Sequence, residues 1–112
     1  MVVISELIKN LDLNLLTDED YEDKEITGVY IGDLLSWVMG KAQPGNVWIT
    51  IMSNINIVAV ASLTDVACIL LTEGVVPDEN VIKKANLQGV VVLASQKTSY
   101  ELAKELHTVI EL

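Results

Sequence analysis

The chain has 112 residues, one cysteine, one histidine and a formal net charge of −9, from 16 acids against seven lysines with no arginine. That length implies one domain that can bury a core without metals or disulfides, and 51% hydrophobic residues exclude a disordered chain. The charge excludes the basic footprint that nucleic acid demands. No apolar run reaches the ~18 residues of a membrane span. The start, MVVISELIKN, lacks the basic flank and cleavage site of a signal peptide. A lone cysteine fits a reducing compartment, so a cytoplasmic location is expected.

In chain order, Ser5 is expected to cap a first short helix with Leu7, Ile8 and Leu11 on its apolar side. Leu13–Leu16 reads as a short strand. Six acids (Asp18, Glu19, Asp20, Glu22, Asp23 and Glu25) then crowd the segment Thr17–Glu25. Clustered oxygens attract hard cations, but the glycine and terminal glutamate of an EF-hand are missing. The segment reads as a solvated loop. ITGVYI (26–31) is a strand with an embedded glycine. After Gly32, Asp33 is expected to cap a helix Leu34–Met39 that ends at Gly40. Gly40–Asn46 is a linking turn.

The centre of the chain is its most apolar part. Val47–Met52 and Ala67–Leu71 are two unbroken apolar runs with turn residues around them, the pattern of strands covered on both faces. Between them, Ile55–Asp65 reads as a crossover helix that Ser53 or Asn54 caps. Ile55, Val58 and Leu63 are expected to face the sheet. Ile57, Val60, Ala61 and Thr64 are then expected to lie outward and pack on a second copy across a two-fold axis, a homodimer. The alternative is a fully buried strand, which would leave no such patch.

Beyond Gly74, Pro77 at a first helical position with acids after it starts another helix, which Gly89 ends. Val81, Ile82 and Ala85 face the core. Val90–Leu93 is the next strand. Thr98-Ser99-Tyr100-Glu101 reads as a capping box, and Tyr100, Leu102, Ala103, Leu106, Val109 and Ile110 form the stripe of a last helix. Strands alternating with helices predict one α/β domain over 1–112, a mainly parallel sheet with helices on both faces.

Chemistry-bearing residues are few. Cys68 lies within an apolar strand, where cysteine acts as a small hydrophobe, and His107 sits on the polar side of the last helix, so no nucleophile pair forms. One His and one Cys give no metal-ligand spacing, and no cofactor is expected. A small ligand would bind beyond the carboxyl ends of the strands. Asp33, Ser53, Asn54, Asn56, Thr72 and Lys97 are the candidate contacts there. The same residues also serve as turn and cap formers.

The run of ITGVYIGD, SNINIVAVASLTDVACILLTEG and VVPDENVIKKANLQGVVVLASQKTSYELA resembles the DRTGG domain over nearly the whole chain. That module accompanies some phosphotransacetylases and some inorganic pyrophosphatases with nucleotide-binding regulatory modules. It is similar to the amino-terminal domain of HPr kinase/phosphorylase. The resemblance implies a non-catalytic regulatory or interaction module that pairs with itself or serves a metabolic enzyme, or else a sensor of a nucleotide or metabolite. The chain departs from the family's name: it has no arginine and reads Thr72-Glu73-Gly74 in place of Thr-Gly-Gly. No GxxxxGK[ST] loop occurs, so kinase chemistry does not carry over.

Overall fold

The computed structural model describes residues 1–110 of the chain. Among them the elements run α1 (Ile4–Asn10), β1 (Asn14–Leu15), β2 (Gly28–Ile31), α2 (Leu35–Lys41), β3 (Asn46–Thr50), α3 (Asn56–Thr64), β4 (Cys68–Leu71), α4 (Glu79–Gln88), β5 (Val92–Ala94) and α5 (Ser99–Ile110). Across the sheet the order is β1-β5-β4-β3-β2. The four strands β2 to β5 are parallel, and β1 pairs antiparallel with β5 at one edge. The mainly parallel α/β architecture read from the sequence is the one the chain adopts.

Alternation along the strands sorts the core into two layers. Val47, Ile49, Cys68, Leu70 and Leu93 face α1 and α5 through Leu7, Leu11, Leu102 and Leu106. Trp48, Ile69, Leu71 and Val92 face α2, α3 and α4 through Val38, Ile57, Val58, Ala61, Val81 and Ala85. Every residue of β3 and β4 is buried. Strands covered on both faces show no polar alternation, which explains their continuous apolar runs.

The central helix forms where expected but is turned the other way. Ile57, Val60, Ala61 and Thr64 are buried within a single copy, whereas Ile55 is 41% and Leu63 72% exposed. The outward interface expected at those four residues is therefore corrected: they are core. The physical reason is lateral. α2 and α4 pack on either side of α3, so a helix apolar nearly all round is flanked as well as backed. Thr64 tolerates burial because its Oγ1 donates to the Val60 carbonyl oxygen at 2.7 Å.

Helix starts also depart from the sequence reading. Ser5 lies inside α1, where its N–H donates to Asp23 Oδ1 at 2.9 Å and its hydroxyl to the same carboxylate. Leu34, not Asp33, is the N-cap of α2, and Gly40 lies within that helix rather than ending it. Pro77 stands one residue before the N-cap Asp78 and outside α4. Tyr100 is 76% exposed, off the buried stripe of α5. Two signals hold. Gly89 ends α4 at φ 69°, a left-handed position that suits glycine. The Thr98–Glu101 box closes reciprocally, with Thr98 N–H to Glu101 Oε1 and Glu101 N–H to Thr98 Oγ1 both at 3.1 Å.

The orientation of α3 separates two substitutions one turn apart. Val60→Asp buries an unpaired charge and is expected to cost at least about 3 kcal/mol. Leu63→Asp, on the exposed face, is expected to stay within about 0.5 kcal/mol of the wild type. Urea unfolding followed by circular dichroism checks both; a larger cost for Leu63→Asp than for Val60→Asp would mean that α3 faces as the sequence pattern implied.

Candidate functional site

The candidate contacts lie along the carboxyl rim of the parallel strands, and the rim is held by its own hydrogen bonds. At the end of β2, Asp33 Oδ1 accepts from Thr50 Oγ1 at 2.8 Å and from the Ile51 N–H at 3.0 Å. The carboxylate thus ties β2 to the end of β3 rather than capping α2. Beside it, Trp48 Nε1 donates to the Gly32 carbonyl oxygen at 2.9 Å. At the end of β4, the Thr72 N–H donates to the Thr50 carbonyl at 3.3 Å, and Thr72 Oγ1 shares a hydrogen bond with Ser99 Oγ at 2.7 Å. Asp33, Thr50, Thr72 and Ser99 therefore form one polar row from β2 to the first turn of α5.

The other candidates join this row only in part. Asn54 Oδ1 accepts from the Asn56 N–H at 2.9 Å, an Asx turn that starts α3. Ser53 is half-buried, while Asn54 and Asn56 are exposed. Lys97 contributes its backbone, since its carbonyl accepts from the Glu73 N–H at 2.9 Å. Its ammonium turns to Glu105 on α5, 2.7 Å away. That hydrogen bond raises the Lys97 pKa above the ordinary lysine value. Glu73 at φ 62° and Gly74 at φ 74° carry the chain sharply over the β5 end. A Cβ on Gly74 would meet the end of the flexible Gln96 side chain, so it is the left-handed φ of 74° that favours glycine there. Sequence reasoning missed Thr50 and Ser99. The available signal for Thr50 was a hydroxyl closing an apolar strand run.

Between the carboxyl ends of β4 and β5 the connections diverge, since α4 lies on one face of the sheet and α5 on the other. Two small hollows open beside them, one of about 100 Å³ at Gly74, Val76, Ser95 and Gln96 and one of about 210 Å³ at Asn14, Ser95 and Lys97. The roomier hollows lie at the opposite, amino end of the strands. One of about 330 Å³ runs between the acidic segment and the end of α4, from Thr17 to Lys24 and from Asn86 to Val91. Another of about 380 Å³ lies beside Thr27, Gly45 and Asp65. The acidic segment is a strap here rather than a free loop. Asp18 N–H donates to Asn86 Oδ1 at 2.8 Å, and Lys24 Nζ meets Asp65 Oδ1 at 3.0 Å. Partial burial and the charge of Asp23 raise the Tyr21 hydroxyl above the ordinary phenol value.

Cys68 is fully enclosed in β4, and burial pushes its thiol up to about 12. It stays neutral at physiological pH, while His107 is exposed on α5. This pair has none of the electropositive, accessible surroundings that activate a thiol. No described helix is long and apolar enough to cross a membrane.

A five-stranded, mainly parallel sheet with helices on both faces and a self-bonded carboxyl rim describes an α/β module. The DRTGG domain family matches residues 6–109, and the chain belongs to it. Among solved structures it is similar to the CBS and DRTGG domains of the regulatory region of Clostridium perfringens pyrophosphatase, solved with the activator diadenosine tetraphosphate. The TM-score is 0.71 at 14% identity. The match covers 92% of this chain and 45% of that one, so this chain spans less than half of the neighbour. Comparison with the curated proteins gives no match.

Two outcomes follow from this geometry. The hydrogen bonds from Thr98, N–H first and hydroxyl second, lower the Glu101 pKa below the ordinary glutamate value. Their contribution to stability is therefore present above the unfolded glutamate pKa and lost as the pH falls through the lower folded one. An NMR titration is expected to place Glu101 below an ordinary glutamate, and Thr98→Ala to return it part of the way, since the Thr98 N–H still donates. An unchanged titration in Thr98→Ala would remove the hydroxyl as a contributor and leave the N–H. For Cys68, a thiol reagent at pH 8 is expected to leave the native protein unmodified and to label it once in denaturant; rapid native labelling would contradict its enclosure.

Proposed function

We propose that the chain is a regulatory module without chemistry of its own, acting through association with a second copy or with a metabolic enzyme in the cytoplasm. The carrying observation is the DRTGG match over residues 6–109, a regulatory domain. The site chemistry is consistent with it. The one thiol is enclosed and neutral, the Asp33 carboxylate is occupied by Thr50 and Ile51, and the Lys97 ammonium by Glu105. None of these groups is arranged as a nucleophile with its base.

A second reading takes the chain as a sensor of a small nucleotide or metabolite. It is favoured by the polar row at the carboxyl rim and by the similarity to a regulatory region solved with diadenosine tetraphosphate. In this reading Asp33, Ser53, Asn54, Asn56, Thr72 and Lys97 line the site. The absence of arginine and the charge of −9 weigh against a polyphosphate.

Thermal unfolding with diadenosine tetraphosphate, AMP, ATP or acetyl phosphate separates the two. A ligand at about 100 times its Kd stabilises by about 2.7 kcal/mol, a shift of several degrees in a domain of this size. The association reading expects no shift with any of the four at millimolar concentration, and no turnover of ATP or acetyl phosphate. A shift that Asn54→Ala and Asn56→Ala abolish would establish the sensor reading instead. Turnover by the purified chain would overturn both.

A further inference from the structure

We infer that the corner formed by the free edge of β2 and the start of α2 is the surface through which two copies of this chain associate; the inference rests on the pairing reading above and gives it a place. The corner is built from the end of β2, the start of α2 and the turn after β3. Ile31 is 52% exposed, Leu34 61%, Trp37 57%, Ile51 46% and Ile55 41%. They flank the free edge on both faces of the sheet: Ile31 pairs with Ile49 on the α1/α5 face, while Leu34 and Trp37 belong to α2 on the other. Gly32 N–H donates to the Ile49 carbonyl at 3.2 Å, Asp33 accepts from the Ile51 N–H, and Trp37 N–H donates to the Leu34 carbonyl at 3.0 Å. Together these side chains expose on the order of 500 Å² of apolar surface, divided between the two faces beside the edge.

Three observations identify the occupant as a second copy. First, β2 ends the sheet, and no described strand pairs with its outer edge. Its sequence, Gly28-Val29-Tyr30-Ile31, has none of the lysine or proline that guard a free edge against pairing. A strand edge that meets its own copy across a two-fold axis pairs antiparallel, the arrangement that needs no crossover. Second, the charge pattern is self-compatible. Two copies at −9 each repel over most of their surface. Residues 26–39 carry the single charge of Asp33, whose Oδ1 is bonded to Thr50 and Ile51. At the end of α2, Lys41 Nζ lies 4.2 Å from the Trp37 ring centre and brings a positive charge to the same corner. A basic partner would be drawn to the acidic strap at the opposite end of the sheet. Third, the patch together with the β2 backbone approaches the roughly 800 Å² per partner that a standard interface buries. Trp37, an aromatic on a rigid helix, has the character of an anchor residue.

Sedimentation equilibrium of the full chain tests this, with Leu34→Glu and Trp37→Glu at the corner and Leu63→Glu on α3 as the control. The wild type and Leu63→Glu are expected to be dimeric. The two corner variants are expected to dissociate at least about 30-fold more readily, the size of a hot-spot loss. Both corner side chains are more than half exposed, so circular dichroism should show the fold retained. A second measurement does not depend on those variants. Cys68 is buried, so Ile31→Cys provides one accessible thiol; mild oxidation is expected to cross-link it to a dimer, and Lys83→Cys on α4 to remain uncross-linked. A monomeric wild type would overturn the pairing reading and this inference together, and would assign the corner to a different protein or domain. A dimer that survives both corner substitutions, with Ile31→Cys uncross-linked, would overturn the corner alone and leave pairing intact.

Discussion

Covering two strands on both faces is the requirement that shapes this molecule. β3 and β4 lie at the centre of the sheet, and every residue in them is buried. Their parallel ladder needs a crossover at each step, and the crossovers deliver α2, α3 and α4 to one face. The other face would stay wet if the chain ended at β5. α1 and α5 cover it from the two ends of the sequence, with Leu7 and Leu11 beside Leu102 and Leu106. The short β1, antiparallel on β5, adds an edge strand beside that last crossover.

The same constraint explains where function can and cannot sit. Taking four parallel strands in spatial order gives a regular three-helix layer, and the connections diverge only between β4 and β5, where α4 and α5 leave for opposite faces beside small hollows. The polar residues at the rim are used between strands: Asp33 on β3, Thr72 on Ser99. The strand order also leaves β2 as an edge, with β1 at the opposite one. What the fold offers for recognition is therefore a free edge with exposed apolar side chains beside it, together with hollows of a few hundred Å³ at the strand ends. Such a layout suits the regulatory domain family to which the chain belongs.

The two misplaced helix caps share one cause. Ser5 and Asp33 are short polar residues at helix starts, and each looks like a cap. In the fold a stronger partner takes each of them: Asp23 takes Ser5, and Thr50 with Ile51 takes Asp33. Those partners are 17 and 18 residues away, beyond any local pattern. Thr98 and Glu101 satisfy each other three residues apart, and that box was legible as it stands. Of the candidate site, the location at the strand ends was legible from the alternation of strands and helices. The hydrogen bonds that occupy it were not.

The sequence by itself determined the α/β class, the two buried central strands, the left-handed end of α4 at Gly89 and the enclosure of Cys68. Each rests on composition or spacing within about ten residues, the range over which hydrophobic period and capping chemistry act. It also carried the resemblance to the DRTGG domain, through segments that span nearly the whole chain. Only the tertiary structure decided which way α3 faces, because a helix apolar nearly all round takes its orientation from its neighbours. α2 and α4 on either side put Ile57, Val60, Ala61 and Thr64 inward and left Leu63 in water. It alone decided that Ile31, Leu34 and Trp37 are exposed beside a free strand edge, since strand order makes β2 the edge, and strand order is a property of the whole chain.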